Sequence, residues 1–201
     1  MRSSLEVSRV PLKTPVVYLE AELQNLPPPV QRYFQAVLKD GQPMIAAVDI
    51  EHTGNFNLNQ AGQSWMPFTS TQRVITQRTG FDWNGRIAMV PGVPVLVHDA
   101  YIGGRGILNV SLLGLFTLAN IGDAPDAAQG ELMRFAAVAL WYPTRLLSSQ
   151  GTAWEVIDDS HARMTITDGA TRVALTFTFG TDGLITTVRA DARARTVGRP
   201  L

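Results

Sequence analysis

The sequence predicts an α+β fold: a strongly curved antiparallel β-sheet, a half-barrel of about nine strands, with N-terminal helices and one inserted helix over its concave face. Three observations lead there. The first 44 residues read as helical, with the clearest 3.6-residue period in the sequence. From about Ile45 the apolar period drops to two and stays there, with turn signals between successive runs. One apolar helical stretch, about residues 124–147, interrupts this rhythm.

In the N-terminal part, "TPVVYLEAELQNL" places Thr14 as a cap and Pro15 at the first helical position. The next segment, "LPPPVQRYFQAVLKDG", sets Val30, Tyr33, Phe34, Val37 and Leu38 on one face, with Gln31, Arg32, Gln35 and Lys39 opposite. Gly41 is placed to stop that helix. Among the strands, "FDWNGRIAMV" is the clearest: Phe81, Trp83, Gly85, Ile87 and Met89 face one way, and Asp82, Asn84, Arg86 and Ala88 the other. Similar runs cover 45–58, 69–77, 95–102, 107–113, 153–157, 162–167, 171–179 and 184–193. The turns "NQAG", "TG", "PGVP", "GGRG", "DDSH", "DG" and "GTDG" are too short for parallel crossovers, so the strands form an antiparallel meander. In "DAPDAAQGELMRFAAVALWYPTRLL", Asp126 and Gln129 have capping-box spacing, and Pro143 ends or kinks the helix. One domain, 1–201, is expected, with a helical segment 1–44 packed on the sheet of 45–201.

Composition limits function. Apolar residues make up 45% and charged residues 17% of the 201, with 17 basic and 17 acidic side chains. Charge is sparse against the roughly 25% usual in soluble domains. Without a basic patch there is no footprint for a nucleic acid. There is no cysteine, so neither a disulfide framework nor a thiol nucleophile is available. The N-terminus has no signal-peptide apolar core and no stretch reaches transmembrane length, which makes a cytoplasmic location the expectation. The tail "RADARARTVGRP" is mildly basic and fits a solvated strand face.

No catalytic or metal motif stands out. His52, His98 and His161 lie on separate predicted strands, none with a partner at ligand spacing, so neither a metal nor a cofactor is expected. The pair His98-Asp99 alternates across its strand. No "GxSxG" elbow occurs, Ser111 is mid-strand, and "IGGRGIL" joins two strands where a phosphate loop needs a following helix. Asp82 and Glu155 look outward. Asp99 shares a face with Val95, Val97 and Tyr101, so it is the one weak candidate for a catalytic base, with Arg86 or Arg105 as the neighbour that compensates it.

What remains is apolar surface. Trp65, Trp83, Trp141 and Trp154, a one-sided sheet and a helix with little polar face all need cover. A filled core is one solution. A hollow for a lipid-like or other apolar small molecule is the other, with Phe81, Trp83, Ile87, Met89, Tyr101, Leu112, Leu115 and Trp141 as its ligand-binding lining. Non-catalytic binding is the leading reading. The alternatives are an enzyme on a cone-shaped α+β scaffold, with Asp99 as base oriented by Arg86 or Tyr101, and a structural protein that self-associates through an open sheet edge.

The motifs "LPPPVQRYF", "GFDWNGRIAMVPGVPVLVHDAYIGGRG", "ALWYPTRLL", "WEVIDD" and "TDGLITTV", in that order, resemble an uncharacterised bacterial domain-of-unknown-function family with L-P-x-P-V-x-R-Y, F-x-W and W-Y-P-T signatures. The resemblance spans about residues 26–195 and names no substrate. By pattern and topology the fold is similar to the half-barrel of periplasmic lipoprotein carriers of the LolA type, which hold acyl chains. The resemblance also implies that relatives continue past Leu201, leaving an open edge near 184–195. In "WYPT" the rings of Trp141 and Tyr142 end the inserted helix either as the rim of a mouth or as a structural plug, and the plug is the preferred reading.

Overall fold

The strands form two antiparallel sheets in an α+β arrangement. The structure, a computed structural model, describes residues 2–7, 16–57, 62–90, 92–122 and 124–191. The first sheet runs in chain order through β1 (Ala47–Asn57), β2 (Trp65–Ile75), β3 (Gly80–Val90), β4 (Val93–Ile102), β5 (Arg105–Leu112) and β6 (Phe116–Gly122). The second holds β7 (Thr152–Val156), β8 (His161–Asp168), β9 (Thr171–Phe179) and β10 (Ile185–Arg189) in the order β10-β9-β8-β7. The six-stranded sheet is open, with β1 and β6 as its edges. The single meander of about nine strands is thus corrected to ten described strands in two sheets. The strand the sequence hid is β6. Its register shifts opposite Val110 and Ser111, which breaks the two-residue alternation that reveals a strand.

Side-chain alternation fixes which face is inner. Phe81, Trp83, Gly85 and Ile87 of β3 lie opposite Tyr101, Asp99, Val97 and Val95 of β4. Val74, Gln72, Ser70 and Phe68 of β2 continue the same rows, and Val48, Ile50, His52 and Gly54 of β1 complete them. Against this face lies α3 (Pro125–Ala137), which contacts β4 and β5 and also β9 of the second sheet. It buries Ala128, Leu132, Phe135 and Ala136 between the two sheets. Gly106 of β5 allows this approach, because a Cβ there would lie 2.3 Å from the Ala127 backbone.

The inserted helix is shorter than the expected 124–147. It starts at Pro125 behind an Ala124 cap, with Asp126 inside its first turn, so the Asp126–Gln129 capping box does not form. It stops at Ala137, and three 3-10 turns follow at Ala139–Trp141, Pro143–Leu146 and Ser148–Gln150. Pro143 has no N–H to extend an α-helix and its ring would clash with the preceding turn.

The N-terminal expectation also needs correction. Thr14 and Pro15 fall outside the described residues, and the chain after them is extended, with Val17 bridged to Pro43. The Tyr18 N–H donates to the Gln42 carbonyl at 2.9 Å, which diverts the backbone from a helix. Only Glu20–Leu23 is helical, as a 3-10 turn. By contrast α2 (Pro28–Val37) forms as its pattern predicts, buries Val30, Tyr33 and Phe34, and packs on β8 and β9. Gly41 takes a positive φ of 78° shortly after it. A short α1 (Arg2–Val7) lies against β2 and β3, with Leu5 beside Gly80. One contiguous apolar core links both sheets with α2 and α3.

Candidate functional site

The inner face of the six-stranded sheet is larger than its helical cover. β1, β2 and β3 have 11 residues each, about 37 Å of strand, and six strands span about 24 Å. With 13 residues, α3 reaches only about 20 Å. Whatever its orientation, it leaves part of the face to other cover, and three zones result.

Next to the helix the face is sealed. Phe81 and Tyr101 are fully buried, and the Tyr101 hydroxyl donates to Asp168 of β8 at 2.7 Å. Burial, then that carboxylate, raises the Tyr101 phenol above its ordinary range.

A polar zone comes next. Asp99 of β4 is buried and ion-paired with Arg134 of α3. The Arg134 guanidinium also lies over the rings of Phe81 and Trp83, at 5.2 and 4.8 Å from their centroids. Gln72 flanks Trp83 on the other side and is buried too. Among the described residues, neither Gln72 Nε2 nor Asp99 Oδ1 has a hydrogen-bond partner. One strand pair away, His52 Nδ1 and Ser70 Oγ are 2.9 Å apart, with the tautomer deciding which donates. The indole of Trp141 tilts against the His52 ring at 4.9 Å. Partial burial, and then the nearby Arg134 charge, lower the His52 pKa, which favours the neutral imidazole.

Beyond this row the face turns apolar and opens. Ile87 and Val95 are buried, but Phe68, Val97, Val110 and Leu112 are only half-covered. Two rings lie flat over glycines here: a Cβ on Gly85 would lie 2.2 Å from the Trp83 ring, and one on Gly54 3.2 Å from the Phe68 ring.

Of the residues expected as lining, Phe81, Trp83, Ile87, Tyr101 and Leu112 share this face by register, while Met89 lies at a break in the β3–β4 register and has no partner there. Phe81 and Tyr101 belong to its sealed end. Leu115 sits in the β5–β6 turn, 78% exposed, away from the rows. Trp141 covers His52 and remains half exposed. Asp99 points inward as its alternation predicts, but the compensating cation is corrected from Arg86 or Arg105 to Arg134. Register puts Arg86 and Arg105 on the outer face, and Tyr101 is engaged by Asp168, so none of the three orients Asp99. "WYPT" divides its labour. Tyr142 is the plug, fully buried, its hydroxyl donating to the Phe135 carbonyl at 2.7 Å near the end of α3, while Trp141 lies at the surface.

His52 and Ser70 went unrecognised in the sequence. The signal was the "NQAG" turn: strands of equal length on either side of it set these residues opposite one another.

The outer face is different. Asp82 is buried there, and its burial, which favours the acid form, is outweighed by His98 at 3.4 Å and Asn84 at 2.5 Å, so its pKa is lowered. Shallow depressions of about 310 and 360 Å³ lie on either side of Asn84 and Arg86. A third, of about 520 Å³, is framed by the turns at Arg78–Thr79, Gly103–Gly104 and Asp168–Thr171. His161 lies far from the other two histidines in the chain, bonded to Asp158 at 2.8 Å. Among the described residues no three His, Asp or Glu side chains gather as a metal site, and no helix is long and apolar enough to cross a membrane.

A family model described as a family of unknown function, DUF6920, matches residues 24–200. The chain belongs to this family. Neither a curated protein nor a solved structure matches it. Membership in DUF6920 therefore brings no activity with it, and the functional reading rests on the inner face itself.

Proposed function

We propose that the chain is a non-catalytic binder of a lipid-like or other apolar molecule, held in a half-barrel hollow on the inner face of the six-stranded sheet. The observation that carries this is the apolar zone of Phe68, Val97, Val110 and Leu112, which stays only half-covered although α3 packs on β4 and β5. The polar row at its inner end suits an amphipathic ligand. Gln72 Nε2 and Asp99 Oδ1 offer an unused donor and an unused acceptor, so the ligand's polar end is a group such as a hydroxyl or amide that can both accept and donate. Asp99 serves this site as the anchor of Arg134 rather than as a base, since its carboxylate is already bonded to the guanidinium.

Native mass spectrometry of protein purified from cells tests the reading. An adduct of lipid mass is expected, and Val97→Phe with Val110→Phe, which fill the zone, should diminish it. A protein that carries no adduct and takes up no fluorescent long-chain alcohol or fatty amide in solution would sink the proposal.

A further inference from the structure

The antiparallel order of the six-stranded sheet brings three hairpin ends together: β1–β2, β3–β4 and β5–β6 all turn at the same end. Among the described residues, every large apolar side chain that this sheet exposes lies at that end. Phe56 and Trp65 flank the first hairpin end, Met89 stands at the second, and Leu115, Phe116 and Leu118 form the third, with exposures from 37% to 78%.

Charge is distributed to match. The sequence has no Asp, Glu, Lys or Arg from Thr53 to Gln72, from Ile87 to His98, or from Gly106 to Gly122. The described residues at the three hairpin ends all fall within these stretches, the last of which continues along almost the whole of β5 and β6. At the opposite end of the same strands, Arg78 lies in the β2–β3 turn and Arg105 opens β5. The sheet is thus polarised lengthwise, with one end charged and the other free of charge and rich in Leu, Phe, Met and Trp.

We infer that this uncharged end docks on the surface of a lipid bilayer, the hairpin tips seating their apolar side chains below the headgroups. Hydrocarbon excludes charge, and the ends of the three hairpins contain none. A protein partner would meet a different surface, since protein interfaces have polar rims and are enriched in arginine. Trp65 adds an amphipathic ring of the kind that settles at headgroup depth. Penetration is shallow, on the order of 5–10 Å, because hairpin backbone cannot leave its polar groups unpaired in hydrocarbon. With no basic residue on the tips, the attraction is apolar and indifferent to salt and to anionic lipid.

Docking goes beyond the proposed ligand binding and does not require it. The test is co-sedimentation with vesicles of phosphatidylcholine alone, at low and high salt. The protein should pellet with the vesicles equally at both. Each apolar tip withdrawn is worth roughly tenfold or more in partition, so Leu115→Asp with Phe116→Asp should weaken binding by about a hundredfold. Both side chains are exposed, so the fold survives the change. Val156→Asp, an exposed apolar site on the other sheet, should bind like the parent. The inference is overturned if the parent protein stays in solution, if the double substitution binds as well as the parent, or if binding needs anionic lipid and vanishes with salt. It is also overturned if sedimentation velocity shows a dimer that Leu115→Asp dissociates, because a second copy would then occupy the tips. An unchanged lipid-mass adduct in the double variant separates a failure of docking from a failure of ligand binding.

Discussion

Removing either member of the Asp99–Arg134 pair should destabilise the protein more than removing both. The Asp99 side chain is 11% exposed and that of Arg134 23%, so each charge is largely withdrawn from water. Breaking a buried pair costs about 3–5 kcal/mol, because the remaining charge is left uncompensated. Arg134→Met leaves Asp99 in that position, with one oxygen already unpartnered, so the full range applies. Asp99→Leu leaves a guanidinium that keeps its contacts over Phe81 and Trp83 and is partly wet, and about 2 kcal/mol is expected. The double variant replaces the pair by apolar groups of similar volume and should lie within about 1 kcal/mol of the parent. Urea unfolding of the four proteins at one pH measures the cycle. A coupling below about 0.5 kcal/mol, with the double variant destabilised by the sum of the singles, would show that the pair is not a buried unit and would refute the reasoning.

Gly85→Ala should destabilise by about 1–3 kcal/mol and alter the near-ultraviolet circular dichroism of Trp83, because the added methyl meets the indole at 2.2 Å. An unchanged spectrum would mean that the ring does not lie on the glycine. Tyr142→Phe removes the buried hydroxyl from the Phe135 carbonyl and should cost about 1–3 kcal/mol. Calorimetry should show that as a fall in Tm of roughly 2–4 °C per kcal/mol, and no fall would exclude the bond. His52 should titrate below the ordinary imidazole value of 6.5 by NMR, and Arg134→Gln should move its pKa upward by removing the neighbouring charge. Its folded pKa is the lower one, so its contribution to stability is complete above the unfolded value and declines as pH falls from about 6.5 toward the folded pKa. A titration at or above 6.5 in the parent contradicts this.

The sequence revealed those parts of the fold in which one face is sealed. β3 was legible because its burial alternates from Trp83 to Ala88, and the two-residue alternation of side chains along β4 also showed that Asp99 points inward. α2 was legible because its apolar stripe is buried against the second sheet. β6 was not, since its edge position and its bulge relax the alternation. The division into two sheets was hidden for another reason. The segment from Ala124 to Gly151 separates β6 from β7, and periodicity says nothing about which strands pair across such an interval. The partner of Asp99 lies 35 residues further on, on a helix whose packing no local pattern encodes. The preferred reading of "WYPT" was half of the answer: Tyr142 plugs, and Trp141 faces the polar row at the surface.

The glycines of the inner face bear on whether that face was shaped to be filled. A glycine in a strand interior costs roughly 0.5–1 kcal/mol relative to alanine, and both Gly54 and Gly85 occupy strand interiors on the inner rows. Both have negative φ and form no bulge, so turn geometry does not demand them. Their effect is on ring height. With no Cβ beneath, the rings of Phe68 and Trp83 lie down on the sheet, and a larger residue would tip them up into the space above. A core that only needed filling would gain from the upright ring, which adds contacts and removes two conformationally loose positions. Flat rings keep the face low and apolar, the shape that a bound chain needs. The same substitution that tests the packing therefore separates the two purposes: if Gly85→Ala weakens ligand retention more than it weakens folding, the low face serves the ligand.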